Sequence, residues 1–297
     1  MFINIKTKEL IKNLRTKLLN IYDNNINIVN KVSNYIIAIS LDINELELIT
    51  REYILVDQIK LNKLEENIYK HINLNMPLQY IEGHITFLDL KIAVKAPILI
   101  PRIETEYWVY NLIQDLNILK NESLNILDLC TGSGCIALAF AKNFKNSIVY
   151  ALDISEKACN LAMHNAKIND IKNIKILKSD LFDNLEKDIK FDLIVANPPY
   201  ISHEQFRTLD PMVKNWEDKR ALVANDSGLE IIKKIIYNSK NFLKINNFKL
   251  NNLPQLIIEI DYTHGQKVEK IMLNNKFSKI RLIKDLSDRD RIIYATL

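Results

Sequence analysis

Two short polar segments, each placed directly after an apolar run, contain residue types that could bind a ligand. The first, CTGSG at residues 130–134, follows the run LNILDL (124–129) and precedes a helix candidate, CIALAFAKNF (135–144). Glycines in such a strand-to-helix turn let the backbone approach a ligand without an intervening Cβ. Nucleotide-like ligands bind at the carboxyl end of the strand before such a turn. A G-x-G pair by itself is also compatible with an ordinary tight turn.

Two acidic residues make a ligand site at this turn more specific. Asp153 ends the next strand candidate, about 20 residues after Gly134, where an acid can accept hydrogen bonds from ribose hydroxyls. Because Ser155 follows, Asp153 could instead be an acid favoured at a helix N-terminus. Asp128 favours a ligand with a positive group, since a carboxylate would repel a pyrophosphate. The glycine turn nevertheless also fits the G-x-G-x-x-G/A pattern of dinucleotide-dependent dehydrogenases.

The second segment, Asn197-Pro198-Pro199-Tyr200, follows the apolar run FDLIVA (191–196). Proline cannot continue a central strand, so the chain must turn here, and two adjacent prolines keep the loop rigid. Asn197 offers an acceptor and two donors, and the ring of Tyr200 can stack on a planar group. We interpret the segment as a cradle for a planar –NH₂ group, with two acceptors for its hydrogens and a ring over one face.

The elements that must position these segments alternate between strands and helices from about residue 122 onward. This alternation predicts an α/β fold with a doubly wound, mostly parallel, Rossmann-like sheet. The strand candidates are 124–129, 147–153, 174–180, 191–200 (a strand that ends in a loop), 255–260, 279–285 and 291–297. The helix candidates are 135–144, 155–169 (with Ser155 as N-cap) and 228–243. No helix candidate separates the last two strands, which predicts an antiparallel hairpin at the end of the sheet.

Residues 1–75 predict a small helical bundle domain, which contains no candidate catalytic group. Its apolar positions recur at helical spacing in four groups: Leu10, Leu14, Leu18 and Tyr22; Ile26 to Leu41; Leu46, Ile49, Tyr53 and Val56; and Leu61, Leu64, Ile68 and Ile72. Residues 76–98 predict a linker with a β-hairpin near 84–96. Residues 99–297 predict the domain that carries both polar segments, with a helix beginning near Thr105 or Glu106.

Composition narrows the function classes. The 297 residues are 48% hydrophobic and 26% charged, which is typical of a folded chain with about two domains. A net charge of +4 is lower than a dedicated nucleic-acid binder usually has. The three cysteines form no CxxC pair and the five histidines are scattered, so we expect neither a metal site nor disulfides, and a reducing, cytoplasmic location. We expect neither a signal peptide nor a membrane span, since no apolar run approaches about 18 residues.

The segments resemble a known group of enzymes. D-x-x-x-G-x-G together with N-P-P-Y is the pattern of S-adenosylmethionine-dependent methyltransferases that act on exocyclic or amide nitrogen. LIPRIETE (99–106), MPLQYIEG (76–83) and ALVANDSGLEII (221–232) are similar to segments of the release factor glutamine methyltransferases. The resemblance covers residues from about 60 to the C-terminus, with four separated motifs in family order.

The resemblance implies a seven-stranded methyltransferase sheet and a reaction on the Gln of the Gly-Gly-Gln motif in class I peptide chain release factors. It implies S-adenosylmethionine as cofactor and a helical N-terminal domain for substrate recognition. We also expect a monomer that requires neither nucleic acid nor a membrane. By motif position, the implied cofactor-binding residues are Asp128, Cys130, Thr131, Gly132, Ser133, Gly134, Asp153 (ribose), Asp180 and Leu181 (adenine), and Asn197. The implied catalytic residues are Asn197 and Pro198, which would bind the target amide, with Pro199 and Tyr200.

The sequence departs from the family pattern at three places. Cys130 stands where many members have the first glycine of the turn, and because cysteine has a Cβ we expect it to adopt an ordinary backbone φ. Ile103 replaces the second proline of L-I-P-R-P, and Glu259-Ile-Asp261 stands where members often have E-x-G. Arg102 and Glu104 could line a substrate entrance or brace the linker through a salt bridge.

Four other functions remain possible from the sequence. A ribosomal-protein glutamine methyltransferase would use the same chemistry, but LIPRIETE argues against it. The modest charge argues against an adenine N6-methyltransferase on nucleic acid. An NAD-dependent oxidoreductase would leave N-P-P-Y unexplained. A catalytically silent module that binds a release factor through its helical domain could be distinguished only by activity.

Glu217 is a candidate for ordering the loop beyond Tyr200.

Overall fold

A computed structural model of the chain describes residues 2–245 and 253–297. The chain divides into two compact units. The first contains the N-terminal residues up to Gly83 together with Pro211–Trp216, and the second contains 84–210 and 217–297. In the part of the chain that is described, no helix is long and apolar enough to cross a membrane.

The first unit is built from helices and one two-stranded ribbon. Its N-terminal elements are β1 (Phe2–Lys6), α1 (Thr7–Leu18), α2 (Ile26–Leu41), α3 (Glu45–Thr50), β2 (Tyr53–Asp57), α4 (Gln58–Leu74) and α5 (Leu78–Glu82). The helices bury one apolar stripe each, and Leu14, Leu18, Ile36 and Leu48 lie in the shared core. The indole N–H of Trp216 donates to the carbonyl of Leu74 (2.9 Å), which attaches the segment 211–216 to this unit.

The ribbon corrects the prediction that residues 1–75 are entirely helical. The apolar group that includes Tyr53 and Val56 is not one helix, because α3 ends at Thr50 and residues 53–57 form a strand paired antiparallel with β1. In β2 the side chains alternate, with Ile54 and Val56 buried between exposed neighbours. Over so few residues, apolar side chains three and four apart do not distinguish a helix from a strand next to a turn.

The second unit contains the elements predicted from residue 84 onward. They are β3 (His84–Phe87), β4 (Leu90–Ala93), α6 (Ile103–Asp115), β5 (Asn125–Leu129), α7 (Cys135–Asn143), β6 (Ile148–Asp153), α8 (Glu156–Ile168), β7 (Ile174–Lys178), β8 (Leu193–Ala196), α9 (His203–Arg207), α11 (Lys219–Leu222), α12 (Glu230–Ser239), β9 (Leu256–Glu259), α13 (Gly265–Asn274), β10 (Ser278–Lys284) and β11 (Asp290–Thr296). Helix α10 (Pro211–Lys214) lies in the first unit. Strands β3 and β4 form the predicted hairpin, and the side chain of Ser155 caps α8 as predicted.

Seven of the described strands form one sheet in the order β10-β11-β9-β8-β5-β6-β7. Strands β7, β6, β5, β8 and β9 are parallel, while β11 is antiparallel to both β9 and β10. This confirms the mostly parallel, doubly wound sheet and its terminal antiparallel hairpin. In the pairing of β5 with β8, Leu129 lies opposite Ala196. The two polar segments therefore begin side by side, at the carboxyl ends of adjacent strands.

Two asparagines on α8 hold the hairpin against the sheet. Asn165 and Asn169 are four residues apart and so lie on one face of the helix. Asn165 accepts from the backbone N–H of Ala93 (2.8 Å) and donates to its carbonyl (3.1 Å). Asn169 makes the same pair of bonds with Lys91 (3.1 and 2.8 Å). The side chains thus complete the free edge of β4, as a neighbouring strand would.

Asn165 also connects this edge to the glycine turn, because its Nδ2 donates to the carbonyl of Ser133 (2.9 Å). We predict that Asn165→Leu lowers the free energy of unfolding by about 1–3 kcal/mol, since it leaves a buried carbonyl without a donor. Denaturant unfolding measures the difference.

The matched control is Asn169→Leu, which removes the same kind of bonds from a half-buried residue whose bonds to Lys91 are exposed to solvent. There water replaces the lost donor and acceptor, and the loss should be clearly smaller. Equal losses for the two variants would contradict the role given to Asn165.

Candidate active site

The carboxylate of Asp128 organises the turn between β5 and α7. The side chain is fully buried, and its Oδ2 accepts from the hydroxyl of Thr131 (2.6 Å) and from the backbone N–H of Ala137 (3.1 Å). It therefore satisfies one of the free N–H groups in the first turn of α7. Within the described residues, Oδ1 of Asp128 is buried and has no hydrogen-bond partner.

This unmatched oxygen indicates what the turn can bind. Burial raises the pKa of Asp128 to about 7, against the opposing effect of its two hydrogen bonds from Thr131 and Ala137. A buried carboxyl group with free lone pairs is stabilised in its charged form by a cation or a charged donor. The turn is therefore suited to a ligand with an ammonium or sulfonium group.

The backbone of the turn is left-handed at three positions: Cys130 (φ +60°), Gly132 (+54°) and Gly134 (+83°). The prediction that Cys130 would adopt an ordinary φ is therefore wrong. A left-handed conformation is uncommon for a residue with a Cβ but is not forbidden, and it persists where the surroundings hold the backbone in place. Gly134 has a different requirement, since a Cβ there would lie 2.9 Å from the Cβ of Ala162 on α8.

Asp153 lies directly beside this turn. Its Oδ2 accepts from the backbone N–H of Gly132 and its Oδ1 from that of Ser155, both at 2.9 Å. Burial is the main cause that raises the pKa of Asp153, while these backbone hydrogen bonds oppose it. Each carboxylate oxygen has a second lone pair that remains available for a hydroxyl group.

Asp180 and Leu181 follow β7 at the same edge of the sheet. The neighbouring Ser179 donates from its backbone N–H to the carbonyl of Asp153 (2.9 Å). Asp180 is exposed, and Leu181 has a left-handed φ of +47° and packs partly against the core. Desolvation and the charges of Asp153, Asp128 and Asp180 raise the pKa of the Cys130 thiol. Three of the predicted cofactor residues, Asp128, Asp153 and Asp180, thus lie near enough to Cys130 for their charges to affect its pKa.

The N-P-P-Y segment is held from the side of α6 and β9. Asn197 is half-buried, and its Nδ2 donates to the hydroxyl of Thr105 (3.2 Å). Pro198 is buried and Pro199 half-buried. The hydroxyl of Tyr200 donates to Oε1 of Glu259 (3.1 Å). The side chains at both ends of the segment are therefore fixed by partners distant in the sequence.

The segment 221–232, which resembles A-L-x-x-x-x-x-G-L, packs against the N-P-P-Y loop and is hydrogen-bonded to the residue that follows it. The N–H of Ile201 donates to the carbonyl of Leu222 (2.9 Å), and the N–H of Ala224 donates to the carbonyl of Ile201 (3.0 Å). Gly228 (φ +90°) lies so close that a Cβ would be 2.0 Å from the carbonyl oxygen of Tyr200. The glycine of this motif is thus needed for its contact with N-P-P-Y.

Glu259 is the residue whose importance sequence reasoning missed. It is almost fully buried, and its Oε2 accepts from Thr105 (2.7 Å) and from the indole of Trp108 (2.8 Å). Its position, at the carboxyl end of a core strand, was the available signal, since the other acids at this edge also end strands. The sequence placed it only in a segment that departs from E-x-G.

Arg102 forms a salt bridge with the buried carboxylate of Glu217 (2.6 Å). Glu217 also accepts from the backbone N–H of Ile100 (3.4 Å). Burial raises the pKa of Glu217 and the charge of Arg102 opposes that rise. Of the two roles considered for Arg102, the structure contains the bracing salt bridge. Among the described residues, no cluster of His, Cys, Asp or Glu is arranged to hold a metal ion.

The sequence of this chain is similar to those of known methyltransferases. The family model "Methyltransferase small domain" matches residues 111–217. A release factor glutamine methyltransferase of Flavobacterium psychrophilum is 31% identical over 96% of this chain and 98% of its own length. One from Fusobacterium nucleatum is 39% identical over 79% of this chain, and the match spans 64% of that longer protein.

A solved structure supports the fold. The hMettl16 catalytic domain, in complex with the MAT2A 3'UTR hairpin 6, has a TM-score of 0.53 at 16% identity, with 77% of each chain covered. At this identity the likeness concerns the fold alone.

The contact between Gly228 and Tyr200 predicts a large effect of one added methyl group. Gly228→Ala should lower the free energy of unfolding by about 3 kcal/mol or more, because the Cβ would overlap a backbone carbonyl and the left-handed φ disfavours alanine. The control is Gly83→Ala, which has a similar φ of +86° but no atom within 4 Å of the new Cβ. It should lose only about 1 kcal/mol. Denaturant unfolding of the two variants separates overlap from strain, and equal losses would contradict the proposed contact.

Proposed function

Because this chain belongs to the release factor glutamine methyltransferase family, we propose that it methylates the side-chain amide nitrogen (N5) of a glutamine. Its substrate is the Gln of the Gly-Gly-Gln motif in class I peptide chain release factors, and its cofactor is S-adenosylmethionine. The observation that carries this proposal is the pairing of Leu129 with Ala196. It puts a turn suited to a cationic ligand next to a rigid loop suited to a planar amide.

The residues of the glycine turn suit S-adenosylmethionine. The buried, unmatched Oδ1 of Asp128 is an acceptor for its ammonium group. The carboxylate of Asp153 keeps lone pairs for the ribose hydroxyls. Cys130 to Gly134 form the wall along the ligand, and Asp180 with Leu181 flank the adenine.

When bound, S-adenosylmethionine supplies an electrophilic methyl group on a sulfonium sulfur. An amide nitrogen is a poor nucleophile, because its lone pair is delocalised into the carbonyl. The side-chain oxygen of Asn197 and the carbonyl of Pro198 accept hydrogen bonds from the two N–H bonds of the target amide. These bonds favour a more pyramidal nitrogen whose lone pair is localised, and they offset the positive charge that develops on nitrogen.

Positioning contributes more than any single hydrogen bond. A near-attack geometry can be worth about 7–11 kcal/mol of the barrier, and the prolines keep the loop rigid so that its acceptors need not reorganise. The ring of Tyr200 covers one face of the amide. Burial and the neighbouring Glu259 raise the pKa of Tyr200, so its phenol stays neutral and does not act as a base. As the new C–N bond forms, the C–S bond breaks and the sulfonium would leave as a neutral thioether. The methylated nitrogen is then cationic and releases one N–H proton to water, so the scheme requires no strong general base.

We further assign substrate recognition to the first unit and propose that the protein acts as a monomer in the cytoplasm. Cys130, Cys135 and Cys159 are free thiols in the structure. The proposed reaction needs neither nucleic acid nor a membrane.

Intact mass spectrometry tests the reaction. The purified protein should add one methyl group to an intact class I release factor in the presence of S-adenosylmethionine, and none when the Gln of Gly-Gly-Gln is changed to Ala. Asn197→Ala should lower kcat by about 10²–10³-fold, the loss typical of removing one preorganised hydrogen-bonding group. Cofactor binding by this variant, measured by calorimetry, shows whether the site remains folded.

Near-normal turnover of Asn197→Ala would contradict the role of the loop. Cofactor binding without methylation of the release factor would contradict the substrate and favour a ribosomal-protein or nucleic-acid substrate. Absence of both would contradict the methyltransferase assignment.

The raised pKa of Asp128 predicts that cofactor affinity depends on pH. The carboxyl group has a pKa of about 7 in the free protein, and a bound ammonium favours its charged form, so binding must remove the proton when pH falls below that value. The Kd for S-adenosylmethionine should therefore increase as pH decreases from 7 to 5.5, by at most about tenfold per pH unit for this one group.

Isothermal titration calorimetry in two buffers of different ionisation enthalpy measures both the Kd and the proton released. Asp128→Asn keeps an acceptor oxygen for Thr131 and Ala137 but cannot ionise. It should bind more weakly and with a flatter pH dependence. An unchanged pH dependence in this variant would assign the released proton to another group.

A further inference from the structure

One buried carboxylate connects the two side chains that flank the proposed amide site. Glu259 is 1% exposed. Its Oε1 accepts from the hydroxyl of Tyr200, and its Oε2 accepts from Thr105 and Trp108. Thr105 in turn is the hydrogen-bond partner of Asn197. Glu259 is therefore hydrogen-bonded directly to Tyr200, and it is linked to Asn197 through one intermediate residue, Thr105.

The donor and acceptor properties of the groups determine the direction of the hydrogen bonds that join Glu259, Thr105 and Asn197. An indole N–H can only donate, so Oε2 of Glu259 must be an acceptor. The hydroxyl of Thr105 has a single hydrogen, and its 2.7 Å bond to the same Oε2 uses that hydrogen. Toward Asn197, Thr105 can therefore only accept.

This direction decides which way the amide of Asn197 is turned. Only the –NH₂ end of its side chain can donate to Thr105, which is the arrangement present, with Nδ2 at 3.2 Å from Oγ1. Since the amide is planar, the side-chain oxygen is then on the far side of the group from Thr105. If the amide of Asn197 were rotated by 180°, its oxygen would face the hydroxyl oxygen of Thr105. Neither atom would then have a hydrogen to donate to the other.

The arrangement does not depend on whether Glu259 is ionised. Burial raises the pKa of Glu259, against the opposing hydrogen bonds from Trp108 and Thr105 and the charge of Arg291. If the group carries a proton, Oε1 is the favoured site, because Oε1 faces the phenol oxygen of Tyr200, which can accept, whereas Oε2 faces the indole N–H of Trp108, which can only donate. Thr105 still donates to Oε2 in that state, so the hydrogen bonds from Asn197 to Thr105 and from Thr105 to Glu259 keep their directions.

We propose that Glu259 is a positioning residue that acts through Thr105 to present the side-chain oxygen of Asn197 to the target amide, and directly on Tyr200 to hold its ring. The inference rests on the proposed function, because it requires Asn197 to accept a hydrogen bond from the substrate. A rotated Asn197 would present N–H groups to the N–H groups of the target. It could neither bind the amide nor favour a localised lone pair.

The first test compares two substitutions of Thr105. Thr105→Val keeps the shape of the side chain but cannot accept from Asn197, and it should lower kcat by about 10²-fold, the size of effect expected from a misplaced reacting group. Thr105→Ser keeps the hydroxyl and should restore most of the wild-type kcat. The Kd for S-adenosylmethionine should change little in both. A Thr105→Val enzyme with wild-type kcat, or a loss that serine does not restore, would overturn the proposal.

Trp108→Phe is the control for a purely structural role. It removes the other hydrogen bond to Oε2 of Glu259. In the part of the chain that is described, Trp108 itself makes no hydrogen bond to Asn197 or Tyr200. The substitution should lower the free energy of unfolding yet keep most of the wild-type kcat. If Trp108→Phe loses as much kcat as Thr105→Val, the cluster only supports the fold and the proposal fails.

Glu259→Gln gives a sharper expectation. Because Trp108 and Thr105 both donate to the same position, the glutamine must place its oxygen there, and Asn197 keeps its orientation. Its –NH₂ group then donates to the phenol oxygen of Tyr200, so this contact is kept with its direction reversed. Glu259→Gln should therefore keep most of the wild-type kcat. Glu259→Leu removes the partner of both Thr105 and Tyr200 and should lower kcat at least as much as Thr105→Val does. A Glu259→Leu enzyme with wild-type kcat would contradict the positioning role of Glu259.

A readout that needs no substrate separates this proposal from the proposed function. In ¹H–¹⁵N spectra, the side-chain –NH₂ of Asn197 can be assigned by its absence in Asn197→Asp. Its hydrogen exchange should be slowed in the wild type and in Thr105→Ser, and faster in Thr105→Val. If the wild type methylates no release factor but shows this pattern, the proposed function fails while the orientation of Asn197 stands. Equal exchange in all three proteins would overturn the orientation itself.

Discussion

The parallel pairing of β5 with β8 at the centre of the sheet is the constraint on which the site depends. Leu129 and Ala196 are opposite each other, so the next residue of each strand begins one of the two polar segments. The pairing is held by strands that are almost entirely buried, which makes their register costly to change. The glycine turn and the N-P-P-Y loop are adjacent because the core leaves them no other arrangement.

Buried carboxyl groups then convert this adjacency into fixed geometry. Asp128, Asp153, Glu217 and Glu259 all have pKa values raised mainly by burial, and burying a charge is unfavourable unless donors compensate it. Each of them accepts from donors of another segment or of the turn itself. Glu217 has a cation, Arg102, as its partner, whereas the other three are held by neutral donors. The same donors that stabilise the acids also hold the loops that bear them.

Much of the fold could be predicted because it depends on local patterns. The apolar runs that became β5 and β8, the cap at Ser155 and the turn at the prolines are all encoded within a few neighbouring residues. The strand at Tyr53–Asp57 could not be separated from a helix, since its pairing partner is the distant β1. Similarly, the bonds of Asn165 to Ala93 and of Glu259 to Thr105 join residues far apart in sequence. The residue types of the candidate site could therefore be predicted from the sequence, but the contacts that support them could not.

The glycine turn illustrates why a departure from a family pattern can be tolerated at one position and not at the next. The chain contains only five glycines. At residue 130 it has a cysteine, which adopts a left-handed φ that glycine would adopt without strain. The following residues are held on both sides, because Thr131 donates to Asp128 and to the carbonyl of Leu152, and the N–H of Gly132 donates to Asp153.

Strain at Cys130 therefore concerns φ alone, and bonds made by the rest of the turn can offset it. At Gly134 and Gly228 a Cβ would meet neighbouring atoms at 2.9 and 2.0 Å, and no hydrogen bond elsewhere can remove an overlap. Glycine is thus dispensable where only the backbone angle requires it, and necessary where atoms of another segment occupy the space of its side chain.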